Sequence, residues 1–174
     1  MLICILLERL EKAKYMMNFT MGEYVFVAGH GVGQVLGSEN KPDAIYYTVK
    51  LITTGVKIQV PCRLDKCLIR PLIERSEVNE IYNFLSQREN IKFNRQTWNR
   101  RYRDYMAKIN TGSLREIAEV LREMLLLKAD KKLSFSEKRV LDLCKGMLVK
   151  ELSITSGTQE EDISGTIDTL FIVQ

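Results

Sequence analysis

The feature that most restricts this chain is a change of period at Pro71. Pro42, Pro61 and Pro71 are its only prolines, and beyond the last of them the apolar side chains recur every three or four positions instead of every two. Proline removes a backbone donor and clashes inside a helix, so a long proline-free stretch with that spacing is open to helix. A chain that switches period once reads as a β part followed by an α part, an α+β fold rather than alternating βα units.

Before the switch, YVFVAG, GVGQVLGS, AIYYTVKL and VKIQVP are short runs rich in Val, Ile and Tyr, bounded by Gly, Pro, Asn or Asp. Such runs read as strands with turns. In the last of them Val56, Ile58 and Val60 are expected on one face and Lys57 and Gln59 on the other, since strand side chains alternate. Four or five strands in about fifty residues form a small, bent antiparallel sheet or partly open barrel. An open sheet keeps an edge, and an exposed edge can take a partner's strand.

After the switch, Val78, Ile81, Tyr82 and Leu85 mark one helix, and the polar stretch Gln87 to Thr97 interrupts the pattern. Trp98, Tyr102, Tyr105, Met106 and Ile109 mark the next, closed by Asn110, Thr111 and Gly112. Tyr102, Tyr105, Met106 and Ile109 read as its inner stripe, with Trp98 at the N-terminal end. Three S/T-x-x-E patterns, Ser113 with Glu116, Ser134 with Glu137 and Thr158 with Glu161, each precede an apolar stripe and read as capping boxes. About five helices are expected. The predicted organisation is an N-terminal extension over 1–18, a β module over 19–72 and a helical domain over 73–174.

The 174 residues are 45% apolar and 28% charged, the balance of a globular protein. The opening MLICILLERL is too short to span a bilayer and lacks the features of a signal peptide. It reads as an amphipathic turn or, preferably, as an artefact of start-codon choice, with Met16, Met17 and Met21 downstream. Cys4, Cys62, Cys67 and Cys144 are scattered without zinc spacing, and are expected to be reduced thiols. No metal and no cofactor is expected.

Enzymatic motifs are absent, and His30 is the only histidine. Its GHGVG setting superficially resembles a phosphate loop, but with strands on both sides a tight β turn is the better reading. Positive charge gathers in the middle of the chain: between Arg88 and Lys108 lie seven basic side chains against Glu89 and Asp104. Within that stretch the sole tryptophan, Trp98, stands beside Asn99, Arg100, Arg101 and Arg103. A plain reading makes Trp98 a helix anchor and the arginines a solvated face. The functional reading is that arginines neutralise phosphates while the aromatic stacks on a base or wedges a step open.

The β module with its GHGVG turn and I-Q-V-P strand end, followed by W-N-R-R-Y, L-S-F-S-E-K-R and L-V-K-E-L, resembles the CarD/CdnL family of bacterial RNA polymerase-binding regulators over about residues 19 to 155. That resemblance implies a Tudor-like module on the polymerase β subunit and a helical domain on promoter DNA at the upstream edge of the transcription bubble. It implies that Trp98 wedges into the minor groove and stabilises the open complex, with Arg100 and Arg103 beside it and Arg101 open to a structural role. Lys57 and Gln59 are the expected polymerase contacts, although Gln59 stands where the family pattern places a basic residue. The implied protein is a non-enzymatic, cytoplasmic monomer that reaches the nucleoid through the polymerase. The rival reading is a protein-interaction adaptor that does not touch DNA.

Overall fold

A computed structural model describes residues 19–63, 66–87 and 97–171. Expectations placed on the first eighteen residues, Cys4 among them, and on Arg88, Lys92 and Arg95 lie outside these. The chain divides into two compact units, 19–27 with 32–71 and 28–31 with 72–171.

In the first unit β1 (Tyr24–Val27), β2 (Gly31–Asn40), β3 (Ile45–Leu51), β4 (Lys57–Cys62) and β5 (Ile69–Pro71) form one sheet in the order β4-β3-β2-β1-β5. The fifth strand was not visible as an apolar run, because three residues are too few to show a period. It pairs antiparallel with β1 through Val25 opposite Pro71 and Val27 opposite Ile69. The register of β2 on β3 slips between Val35 and Gly37, a bulge that bends the ten-residue strand. At Gly33 a Cβ would collide with the Val49 side chain on β3, so only glycine lets these strands approach there. Val25, Val27, Val35, Tyr47, Val49 and Val60 are central to the core. The GHGVG segment is a turn running into β2, with Gly29 and Gly31 at positive φ.

Two expectations for this unit need correction. Val56 precedes β4 and is 54% exposed, so the inward alternation of that strand is carried by half-buried Ile58 and buried Val60 and Cys62. Cys62 and Cys67, expected as thiols, are bonded to each other. They face each other as an isolated antiparallel bridge, and Arg63 N–H donates to Lys66 C=O inside the turn between them. Directly opposed strand residues bring their Cβ atoms close, which sequence spacing could not reveal. The bond joins the end of edge strand β4 to the run into the other edge, β5, and so draws the open sheet toward closure.

The second unit holds α1 (Val78–Ser86), α2 (Trp98–Thr111), α3 (Leu114–Asp130), α4 (Phe135–Ser156) and α5 (Glu160–Phe171). The α3–α4 pair is central, with α2 against α3, α5 against α4, and α1 touching α3, α4 and α5. The predicted stripe Leu114, Ile117, Ala118, Leu121 and Leu125 is buried, and Val120, Met124 and Leu127 widen it. Full burial of Leu121, Leu148 and Leu152 contributes roughly 1.5–3 kcal/mol each before conformational entropy is charged against it. Glu151 is fully buried and accepts the Ile73 N–H at 3.0 Å, which fixes the chain's approach to α1.

The helix starts differ from one another. Ser134 and Glu137 form a complete capping box on α4. Ser113 caps α3 through the Glu116 N–H, but the Glu116 carboxylate accepts the Thr111 hydroxyl at 2.7 Å and does not return to the cap. Thr158 makes no box with Glu161, because α5 begins at Glu160 and Thr158 N–H is spent on the Ser156 hydroxyl. A box absent from the sequence reading, Glu74 with Glu77, starts the short 3-10 turn ahead of α1.

Candidate nucleic-acid interface

Helix α2 begins at Trp98 without a side-chain cap from Thr97, and ends where Gly112, at φ 76°, returns its N–H to Ile109 C=O. Tyr105 and Ile109 are its buried residues. Tyr102, expected in the inner stripe, is 42% exposed. Trp98 is half-buried, its ring 5.6 Å from that of Tyr102 and 6.4 Å from that of Tyr105. The tryptophan is thus part anchor and part surface. Tyr105 donates its hydroxyl to Glu123 at 2.6 Å, and burial followed by that carboxylate raises its pKa well above the ordinary phenol value.

The three arginines do not act together. Arg101 turns inward: its guanidinium lies 5.6 Å over the Trp98 ring, and its Nη2 donates to Glu137 Oε1 at 3.0 Å. Its side chain is only 12% exposed. Arg100 and Arg103 are exposed, but at about 100° per residue they stand roughly 140° or more around the helix from Trp98. Adjacency in sequence put them in one constellation, and the helix separates them.

Part of the hollow beside Trp98 comes from another helix. Trp98, Asn99, Tyr102 and Met106 of α2 face Ser136, Arg139, Val140, Asp142 and Leu143 of α4 across an open hollow of about 710 Å³. Arg139 stacks 6.0 Å over Phe135, which is 76% exposed at the first position of α4. The hollow therefore has aromatic and aliphatic walls, an amide at Asn99 and a guanidinium at its rim. That combination suits a base with its phosphate.

A second hollow, about 380 Å³, adjoins the first at Asp142 and is lined by Lys128, Lys131, Lys132, Leu133, Lys138 and Leu141. Lys131 pairs with Glu137 at 3.1 Å, while Lys128, Lys132 and Lys138 are exposed around the start of α4. Glu137 itself is 3% exposed. Burial pushes its carboxyl up, but the Ser134 backbone N–H, Lys131, the Ser134 hydroxyl and Arg101 outweigh it and hold the pKa at about 2.

In the other unit Lys57 and Gln59 lie exposed on β4, an edge of the sheet. Lys57 is paired opposite Lys50, which is also exposed, and Gln59 opposite Thr48. Two like charges directly across a ladder repel. Among the described residues no three His, Cys, Asp or Glu side chains gather as metal ligands, and no helix is long and apolar enough to cross a membrane.

The family model described as CarD, C-terminal domain, matches residues 80–168, more than half of the 174. This chain belongs to the CarD family. The matched span contains both hollows, the Arg101–Glu137 pair and the Lys-rich start of α4. A relative from Bacillus subtilis (strain 168), named "Putative transcription factor YdeB", is 27% identical over 150 residues covering 83% of this chain and 97% of that protein.

Sequence reading of this CarD-family chain singled out Trp98 but not Arg139, Phe135 or the four lysines of the second hollow. Counted over residues 113–174, nine basic side chains are outnumbered by eleven acidic ones, which hid a local cluster inside a negative average. The K-A-D-K-K run directly before the Ser134 cap was the available signal, since lysines there converge on a helix start. Lys50 was missed because strand pairing, not sequence, brings it opposite Lys57.

Proposed function

We propose that this CarD-family protein is a transcription regulator that binds the RNA polymerase β subunit through its β module and stabilises open promoter complexes through its helical unit. Trp98 meets DNA at the upstream edge of the bubble, in the minor groove or against an unpaired base. The observation that carries this reading is the half-buried Trp98 ring at the mouth of a hollow rimmed by Arg139 and adjoined by Lys128, Lys132 and Lys138. A partly exposed aromatic with cations on one side fits stacking plus phosphate neutralisation better than packing alone.

No chemistry is required. A protein that binds melted DNA better than closed DNA shifts that equilibrium by its differential affinity. One base stacked on an aromatic is worth about 1–3 kcal/mol, roughly a factor of five to a hundred and fifty in complex lifetime. Few phosphates are met, so binding to free DNA is weak and the polymerase supplies local concentration. In this reading the phosphate contacts are Arg139 and the lysines with Arg100 and Arg103 peripheral, while Arg101 is held inside the protein.

The deciding experiment follows promoter complexes of the cognate polymerase with a bubble-sensitive probe. Wild-type protein lengthens their lifetime, and Trp98→Ala abolishes the gain while leaving capture by polymerase intact. An unchanged lifetime with wild-type protein removes the reading. Lys57→Glu and Gln59→Glu weaken capture by the β subunit, and normal capture by both would mean that β4 is not the docking edge.

A second reading, an adaptor that binds protein instead of DNA, draws support from Phe135, Tyr102 and Leu143, large apolar side chains left exposed around the same hollow. A photocrosslinker at position 98 separates the two: DNA adducts favour the first, protein adducts alone the second.

A further inference from the structure

We infer that Glu137 is a positioning residue for Trp98, acting through Arg101. The inference rests on the proposed role of Trp98 only for its functional consequence; its physical content stands on the geometry alone.

Helix α2 opens at Trp98, and Thr97 supplies no side-chain bond to its first turn. Uncapped first turns fray. A bond from Arg101 Nη2 to Glu137 Oε1 at 3.0 Å ties that turn to α4. Arg101 stands three residues after Trp98, and its guanidinium covers one side of the indole at 5.6 Å. The Tyr102 and Tyr105 rings lie against the indole at 5.6 and 6.4 Å. Indole orientation is therefore set by two tyrosines on its own helix and one cation whose position is dictated from another helix.

Glu137 is suited to dictate it. The residue sits at the third position of α4, where Oε2 accepts the Ser134 N–H at 2.9 Å as half of the capping box. Oε1 accepts both Arg101 and Lys131, at 3.0 and 3.1 Å. A carboxylate locked by a backbone donor and buried to 3% exposure has little freedom to follow a wandering partner. The arginine follows it instead. Arg101 Nε is buried and has no hydrogen-bond partner, so loss of the Glu137 charge leaves the guanidinium held only by the Tyr105 hydroxyl of its own helix. Lys131 cannot take its place, because it is a cation like Arg101 and bonds the same Glu137 oxygen. The physical consequence is that a residue lining no part of the Trp98 hollow decides how the indole is presented.

Trp98 is the sole tryptophan, so its fluorescence reports the effect directly. The experiment compares full-length wild type with Glu137→Gln, Arg101→Met and Arg100→Ala by acrylamide quenching and steady-state anisotropy, with circular dichroism to confirm helicity. Glu137→Gln keeps size and an acceptor but removes the charge; Arg101→Met keeps the apolar stem and leaves the α4 cap untouched. Both should raise the quenching constant at least twofold and lower the anisotropy. Arg100→Ala removes an exposed charge from the same turn of α2 without touching the ion pair, and should leave both values at the wild-type level. Unchanged quenching in whichever of the first two variants retains its helicity overturns the inference, as does an equal rise in Arg100→Ala.

Promoter-complex lifetimes supply the functional arm. Glu137→Gln should lose at least half of whatever lifetime Trp98→Ala loses. If Trp98→Ala has no effect, the proposed function fails and quenching alone decides the positioning. If Trp98→Ala shortens the lifetime and Glu137→Gln does not, the positioning inference fails and the function stands.

Discussion

Arg101 donates to Glu137 across 3.0 Å and ties the first turn of α2 to the first turn of α4. Arg101 belongs to W-N-R-R-Y and Glu137 to L-S-F-S-E-K-R, so two of the segments that carry the family resemblance meet at one ion pair. Removing Arg101 leaves the buried Glu137 carboxylate with Lys131 still on the same oxygen. Arg101→Ala should therefore cost about 2 kcal/mol in urea unfolding, the scale of a lost hydrogen bond between charged groups, whereas exposed Arg100→Ala should stay within about 0.5 kcal/mol. Equal, small losses would return Arg101 to the solvent-facing arginines.

Acid should weaken the helical unit through the same carboxylate. Glu137 is depressed from 4.5 to about 2 in the folded protein. A depressed carboxyl contributes stability that is present above its unfolded pKa and is lost as pH falls through the folded one. The loss is expected between about pH 4.5 and pH 2, and its full size is on the order of 3 kcal/mol. Glu137→Gln should flatten that part of the stability–pH curve measured by denaturant unfolding. An unaltered slope would mean that other carboxylates govern the acid limb.

The Cys62–Cys67 bond closes a short loop and should stabilise the β unit by about 2 kcal/mol through the unfolded chain's entropy. Alkylation of the unreduced, denatured protein followed by mass spectrometry should leave these two cysteines unmodified. Reductant should lower the unfolding midpoint of wild type and leave a Cys62→Ser, Cys67→Ser double variant unmoved. Full alkylation without reductant would show that both are thiols in solution.

Lys132 and Lys138 line the second hollow at the start of α4 and are exposed. If each meets a phosphate, replacing both by Ser should reduce the slope of log K against log salt by roughly 0.9 per contact for duplex DNA. A labelled bubble duplex and a salt titration suffice. Identical slopes would assign these lysines to solubility alone.

In the sequence, the strand runs, the five helices and the break at Pro71 were legible, because each rests on local period or turn chemistry. Strand β5 was not, since three residues carry no period and it exists only because β1 offers a partner. Of three capping patterns only Ser134 with Glu137 closed fully: the motif states what a side chain can reach, and competitors such as the Thr111 hydroxyl decide what it does reach.

The site divides along the same line. Sequence gathered Trp98, Arg100, Arg101 and Arg103 by adjacency, but a helix turns about 100° per residue and sends neighbours to different faces. Only tertiary packing drew Arg101 inward to Glu137, left Arg100 and Arg103 on the far side, and brought Arg139 of α4 to the hollow that Trp98 lines. The sequence by itself determined which elements form and which side chain is chemically distinctive; the tertiary structure decided its company, because proximity between helices is a property of packing that no local pattern encodes.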